Sequence, residues 1–178
     1  MILKDPSSID INKVQTWDVF LQYTNFYRDN PLTRFSWIIR KTTKSVYNHT
    51  SEAVWTESWL YMIESLGDWI TLRTWEVWAN TKVKKKVSHL RMYNFDSTFN
   101  VDAYTNKALM QLDKKYDFRG IPKLFLMIVF GYWKNISEEK SEKCLRCSEF
   151  TAWMKELPGR QKYLPRDFEN NPLFYEIT

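Results

Sequence analysis

Apolar and polar positions change period twice along this chain, and the changes divide it into regions of different secondary structure. Val19 to Thr24 (VFLQYT) is rich in β-formers, has Asp18 at its start, and predicts a strand. Asn30-Pro31 couples an N-cap residue to proline at the first helical position. Leu32, Phe35, Ile38 and Ile39 then recur at helical spacing, so a helix is expected over about 31–43. Residues 46–78 are dense in Val, Ile, Thr, Trp and Tyr, with Gly67-Asp68 as a turn signal. They predict strands near 47–55, 59–65 and 69–75, and Val87 to Tyr93 predicts another.

From residue 100 the period is helical again. Val101, Tyr104, Thr105, Ala108, Leu109 and Leu112 form one stripe behind Asn100, a good cap. Gly120-Ile121-Pro122 ends that region, and the apolar run 123–133 predicts a second, more buried helix. After the charged loop Ser137 to Lys143, a third helix is expected to start near Cys144 to Ser148. Phe150, Trp153, Met154 and Leu157 give it an apolar face, and Pro158-Gly159 ends it. A turn at Pro165 to Asn171 and an extended end, Leu173 to Ile177, complete a single α+β domain over 1–178.

Composition narrows the function classes. The 178 residues are 17% aromatic but hold only 4 Gly and 6 Pro, which suits a heavy core and argues against disorder. Glycine is too sparse for a GxGxxG or Walker-type phosphate loop, and 2 Cys are too few for a disulfide framework. The net charge of +5 is mild. Its densest stretch, Lys82, Lys84, Lys85, Lys86 and Arg91, reads as a nucleic-acid or anionic-membrane patch or as a solvated loop between strands. The loop is the expectation, and no nucleic-acid partner is expected. MILKDPSSID lacks the apolar core of a signal peptide. The longest apolar run, Leu124 to Trp133, falls short of the ~20 residues that span a bilayer. A soluble chain in a reducing compartment, cytoplasmic by default, is therefore expected.

The reactive inventory is His49, His89, Cys144 and Cys147. Zinc is disfavoured: CxxC spacing suits it, but the two histidines lie 40 residues apart and upstream, with no HxxxH pair. A redox dithiol is disfavoured because such pairs normally follow the first strand of a βαβ unit, and Cys144-Leu145-Arg146-Cys147 comes late. A Cys–His nucleophile pair fits better. Cys147 stands at an expected helix start, where the positive dipole end stabilises a thiolate and the free backbone N–H can meet an oxyanion. The alternatives are a structural strand histidine and a small buried cysteine.

A histidine acting as base needs an orienting group. If strands 47–55 and 59–65 form a hairpin turning at Thr56-Glu57, paired residue numbers sum to about 113, which sets His49 directly opposite Glu64 on one face. Glu52 would point to the other face, and a one-residue slip would undo the pairing.

These residues resemble the circularly permuted papain-like cysteine peptidases and amidases (YiiX-like), relatives of the NlpC-type cell-wall hydrolases and of lecithin:retinol acyltransferase. The resemblance covers roughly residues 13–177. VQTWDVFLQ is similar to the family's Gly-Asp-hydrophobic strand, SVYNHTSEAVW to its Tyr-Ser-His-Val-Gly segment, and YMIESLGDWITLRTW to its Ile-Glu-Ala…Gly strand pair. ALMQLDKKYDFRG resembles the helix ending in Tyr-Asp-Phe, CLRCSEFTAWM the Cys-Ser-Glu helix start, and LPRDFENNPLFYEI the closing Pro-x-Asp tail. The resemblance implies an antiparallel sheet packed on helices, with His49, Glu64 and Cys147 as a catalytic triad in the permuted order. Trp17 stands where the family usually has glycine, and Thr50-Ser51 replace Val-Gly.

The implied activity is thiol hydrolysis of an amide in a peptide or cell-wall peptide, without metal or organic cofactor. Two alternatives use the same cleft. One is a lipid acyl hydrolase or acyltransferase making peripheral membrane contact; the other is a catalytically silent peptide- or lipid-binding module. Tyr47 and Trp17 are the candidate substrate-binding aromatics, with a place in the core as the alternative. Cys144 matches nothing essential and is expected to be structural.

Overall fold

A computed structural model describes residues 2–24, 40–41, 45–66, 69–81, 84–93, 100–112, 114 and 146–178. Among the described residues six strands form one antiparallel sheet in the order β4-β3-β2-β1-β5-β6. They are β1 (Val19–Thr24), β2 (His49–Trp55), β3 (Leu60–Leu66), β4 (Trp69–Thr74), β5 (Lys85–Met92) and β6 (Phe174–Glu176). The helices are α1 (Trp75–Ala79), α2 (Val101–Leu109), α3 (Cys147–Met154) and α4 (Pro165–Glu169). The chain is thus α+β, with an antiparallel sheet and a few helices. None of the described helices is long and apolar enough to cross a membrane.

Side-chain alternation gives the sheet two buried faces. On one, Phe20, Ala53, Met62 and Val87 pack with Trp75 and Trp78 of α1. On the other, Val54, Ile63 and Ile70 meet Tyr104 of α2 and Phe150 and Met154 of α3. Val19, Leu21 and Leu90 on that second face meet Ala152 and Phe168. Burial on both sides explains why the strands read as nearly continuous β-rich runs. Among the described residues, most of the aromatics fall into or against these clusters.

Strand ends shift from the expected bounds by one or two residues, and three differences have a clear local reason. The strand expected over 69–75 ends at Thr74, whose hydroxyl accepts the Val77 N–H at 3.4 Å and caps α1. Trp75 and Trp78, one helical turn apart, then both face Phe20. The helix expected to reach Pro158-Gly159 stops at Met154. Glu156 takes φ 55°, and the Leu157 N–H closes back on the Ala152 carbonyl at 2.9 Å, a left-handed C-terminal cap. The turn expected at Pro165 to Asn171 contains α4, with proline in its first turn and Asp167 Oδ2 accepting the Leu164 N–H at 2.7 Å.

The basic stretch is not a loop throughout. Lys85 and Lys86 already belong to β5; Lys85 is buried with Nζ 3.6 Å from the Trp78 ring centroid. Arg91 is engaged with Asp18. Of the helix expected at 31–43, Arg40 and Lys41 are described and helical. The rest of that helix, the Gly67-Asp68 turn, the 123–133 helix, the 137–143 loop and Cys144 lie outside the described residues.

Candidate active site

The β2–β3 hairpin sets the first two groups. Trp55 pairs with Leu60, and the Thr56 N–H donates to the Trp59 carbonyl at 2.9 Å, so the turn centres on Glu57-Ser58. It falls one residue later than expected, which shifts the pairing by two. Extending the observed register sets Glu64 opposite Ser51, diagonal to His49 and not directly across from it. A two-residue shift keeps every side chain on its face. The diagonal span of about 7–8 Å is within reach of two long side chains. His49 Nε2 and Glu64 Oε2 accordingly meet at 3.0 Å.

At the entrance to β2 the backbone is irregular. His49 is the partner of Gln22 on β1, yet the Asn48 N–H also donates to the Gln22 carbonyl at 2.9 Å. Two consecutive residues facing one is the pattern of a β-bulge, a common device for re-aiming a side chain beside a functional site. The alternation slips accordingly. Tyr47 packs with Leu21 and Leu90 on the α3 side of the sheet, while His49, two residues on, turns to Glu64.

Cys147 arrives from that α3 side. It is the first residue of α3, so its backbone N–H has no intrahelical partner. Its sulfur lies beside the His49 side chain and the backbone N–H groups of Thr50 and Ser148, all of which favour the thiolate. Since Nε2 of His49 is taken by Glu64, Nδ1 is left for the thiol. The structure therefore brings Cys147, His49 and Glu64 together as a continuous chain of contacts.

The electrostatics follow from burial and pairing. Burial pushes the Cys147 thiol up, but the adjacent imidazolium and the two backbone N–H donors outweigh it and hold the thiol below its ordinary value. Burial also opposes charge on His49, but Cys147 and Glu64 raise it to about 10. For Glu64, burial is overcome by His49, Lys85 and Gln22, which lower it to about 2. The resting state this favours is a thiolate–imidazolium pair held by a carboxylate that is ionised at neutral pH. The His49 side chain keeps 13% of its surface exposed and Glu64 only 3%, so the carboxylate is the more deeply sealed of the two.

Sequence reasoning missed the supports of Glu64. Gln22 Nε2 donates to Glu64 Oε2 at 3.1 Å and to Ser51 Oγ at 3.0 Å. Trp78 Nε1 donates to the same carboxylate at 3.4 Å, and Arg73 lies 3.8 Å from its other oxygen. The signal for Gln22 was the β1–β2 pairing, which juxtaposes it with His49. Trp78 required the unpredicted α1.

The other expected residues lie elsewhere. Trp17 and Tyr47 are each 1% exposed. Trp17 stacks edge-on against Tyr104 at 4.4 Å, and the Tyr47 hydroxyl meets Ser88 Oγ at 2.9 Å. Trp17 adopts φ 74°, the left-handed region that favours the glycine the resemblance leads one to expect. His89 belongs to a separate cluster. Its Nε2 meets Asp18 Oδ2 at 2.6 Å while Arg91 holds the same carboxylate and the Lys13 carbonyl, lashing the approach of β1 to β5. Among the described residues no group of three His, Cys, Asp or Glu could hold a metal.

No protein-family profile matches the chain, and no curated protein matches it significantly.

Proposed function

We propose that the chain is a thiol hydrolase of amide bonds, with Cys147 as nucleophile, His49 as acid–base and Glu64 as the orienting carboxylate. The observation that carries this reading is the contact chain itself: a thiol at a helix N-terminus, beside a histidine whose Nε2 lies 3.0 Å from a sealed carboxylate. The order of histidine strand, glutamate strand and nucleophile helix is that of the permuted papain-like enzymes, and the antiparallel sheet with α3 packed on it is compatible with that fold. The substrate class that the resemblance suggests is a peptide or cell-wall peptide.

In the reaction, the Cys147 thiolate attacks the carbonyl carbon, and the backbone N–H of Cys147 stabilises the oxyanion. The tetrahedral intermediate collapses as His49 gives its proton to the leaving amine, forming a thioester. His49 then takes a proton from water, the hydroxide adds to the thioester, and the acid leaves as His49 reprotonates the sulfur. No step uses a metal or organic cofactor.

The test compares Cys147→Ala with Cys144→Ala on peptide, amide and ester substrates. Loss of at least roughly 10²-fold in kcat/KM for Cys147→Ala, with activity retained in Cys144→Ala, is expected. Activity persisting in Cys147→Ala contradicts the proposal. A preference for ester over amide would move the substrate toward acyl lipids while leaving the triad in place.

A further inference from the structure

α3 packs along β2 and meets it at Thr50 and Glu52. The Cys147 sulfur lies beside the Thr50 backbone N–H, Thr151 Oγ1 meets Thr50 Oγ1 at 3.0 Å, and Lys155 Nζ meets Glu52 Oε2 at 3.3 Å. Cys147 and Thr151 both neighbour Thr50, and the four-residue step from Thr151 to Lys155, about 6 Å, matches the two-residue step of about 6.6 Å from Thr50 to Glu52 on the strand. The first rung is the chemistry. The next two are buried polar pairs that the chemistry does not use.

The last rung is a buried ion pair whose carboxylate oxygens accept no hydrogen bond of good geometry. Both its side chains are wholly shielded from solvent. Lys155 Nζ also donates to the Trp17 carbonyl at 2.5 Å, while the Trp17 N–H donates to the Ala53 carbonyl of β2 at 2.6 Å. Trp17 thus clamps the same end of α3 to the same strand. A buried ion pair is poor evidence of net stabilisation, because desolvation offsets the attraction. It does supply registry. Apolar side chains tolerate sliding, whereas a lysine held between one carboxylate and one carbonyl has a single position.

We propose that Thr50–Thr151 and Glu52–Lys155 are positioning pairs that fix α3 against β2 in the register bringing the Cys147 sulfur onto His49. The inference rests on the thiol-hydrolase reading of that site. Neither pair touches the reacting atoms through its side chains. They act through the helix, and a misplacement of about 1 Å at the sulfur suffices to lower reactivity steeply.

The experiment measures the rate and pH midpoint of Cys147 alkylation by iodoacetamide, with kcat and KM, in wild type and two double variants. Thr50→Val/Thr151→Val preserves shape and removes both hydroxyls, so neither is left buried alone. Glu52→Gln/Lys155→Met removes both charges together. The expected result, in protein with a native circular-dichroism spectrum, is an alkylation midpoint raised toward that of an ordinary thiol. The rate at pH 6 falls by at least roughly fivefold and kcat falls with KM nearly unchanged, a pattern general destabilisation does not produce. If the charge-free pair fails to fold, the valine pair decides. A folded valine pair with wild-type midpoint and rate overturns the positioning role while the hydrolase reading stands. An ordinary thiol midpoint in the wild type itself instead sinks the hydrolase reading, and this inference with it.

Discussion

His49 has two partners because it is long, sits at the first position of its strand, and follows a bulge that turns it out of alternation with Tyr47. Glu64 is its counterweight, sealed among Gln22, Trp78, Arg73 and Lys85. Replacing Glu64 with Gln keeps the volume and removes the charge. The expected outcome is a fall in kcat/KM of roughly 10²–10⁴-fold, together with a rise in the pH midpoint of Cys147 alkylation, because the imidazolium loses its partner. Trp17 offers a test of stability. Trp17→Gly relieves a left-handed residue, worth about 1–2 kcal/mol, but empties a core site whose aromatic contributes about 3–5 kcal/mol. Denaturant titration is expected to find net destabilisation of roughly 2 kcal/mol or more. The identities of Cys147, His49 and Glu64 were legible from residue chemistry and spacing. The positive φ of Trp17 was not, since nothing in a tryptophan announces it.

At the scale of elements, the hairpin shows which errors a sequence argument survives. Moving the turn from Thr56-Glu57 to Glu57-Ser58 shifts every pair by two residues, so His49 and Glu64 stay on one face. The face was therefore legible while the register was not. The stop of α3 was not legible either, because it depends on Glu156 adopting a conformation usually left to glycine. The buried Lys155–Glu52 rung was invisible without the packing of α3 on β2. Burial pushes Glu52 up to about 7 even with Lys155 opposing it. Lys155→Met strands that carboxylate and is expected to cost about 3–5 kcal/mol at neutral pH. The sign of the pH dependence follows from the raised carboxyl. Protonated Glu52 is tolerated, so its stabilising share is present below its unfolded value near 4.5 and is lost as pH rises through the folded value. Urea titrations of Lys155→Met at pH 5 and pH 8 are therefore expected to find the variant closer to wild type at pH 5.

Among the described residues, one six-stranded sheet buried on both faces carries the histidine and the glutamate on adjacent strands and receives the cysteine from a packed helix. This arrangement concentrates ionised groups in the interior, and acid stability reports on them. Glu64 is depressed from 4.5 to about 2, so its contribution, on the order of 3 kcal/mol, is present above its unfolded value and lost as pH falls toward 2. Asp18, lowered chiefly by Arg91 and His89 against its burial, adds to the same limb. Thermal melts between pH 2 and pH 6 are expected to find a steep acid limb that is shallower in Glu64→Gln. The α+β class was legible from the switch between β-rich and helical periods. The breakup of the basic stretch was not, because charge counting cannot foresee Lys85 over Trp78 or Arg91 on Asp18.

The proposed chemistry requires that His49 hold Cys147 as a thiolate, and the pH profile of alkylation reports this. Iodoacetamide labelling of the native chain, with the modified residue located by mass spectrometry, is to be followed from pH 4 to pH 10 in wild type and His49→Ala. Cys147 is expected to be labelled selectively in wild type with a midpoint well below the ordinary thiol value of 9.0, and His49→Ala to move that midpoint up toward it. Labelling of Cys144 alone, or a Cys147 midpoint that His49→Ala leaves unchanged, would contradict the proposed chemistry.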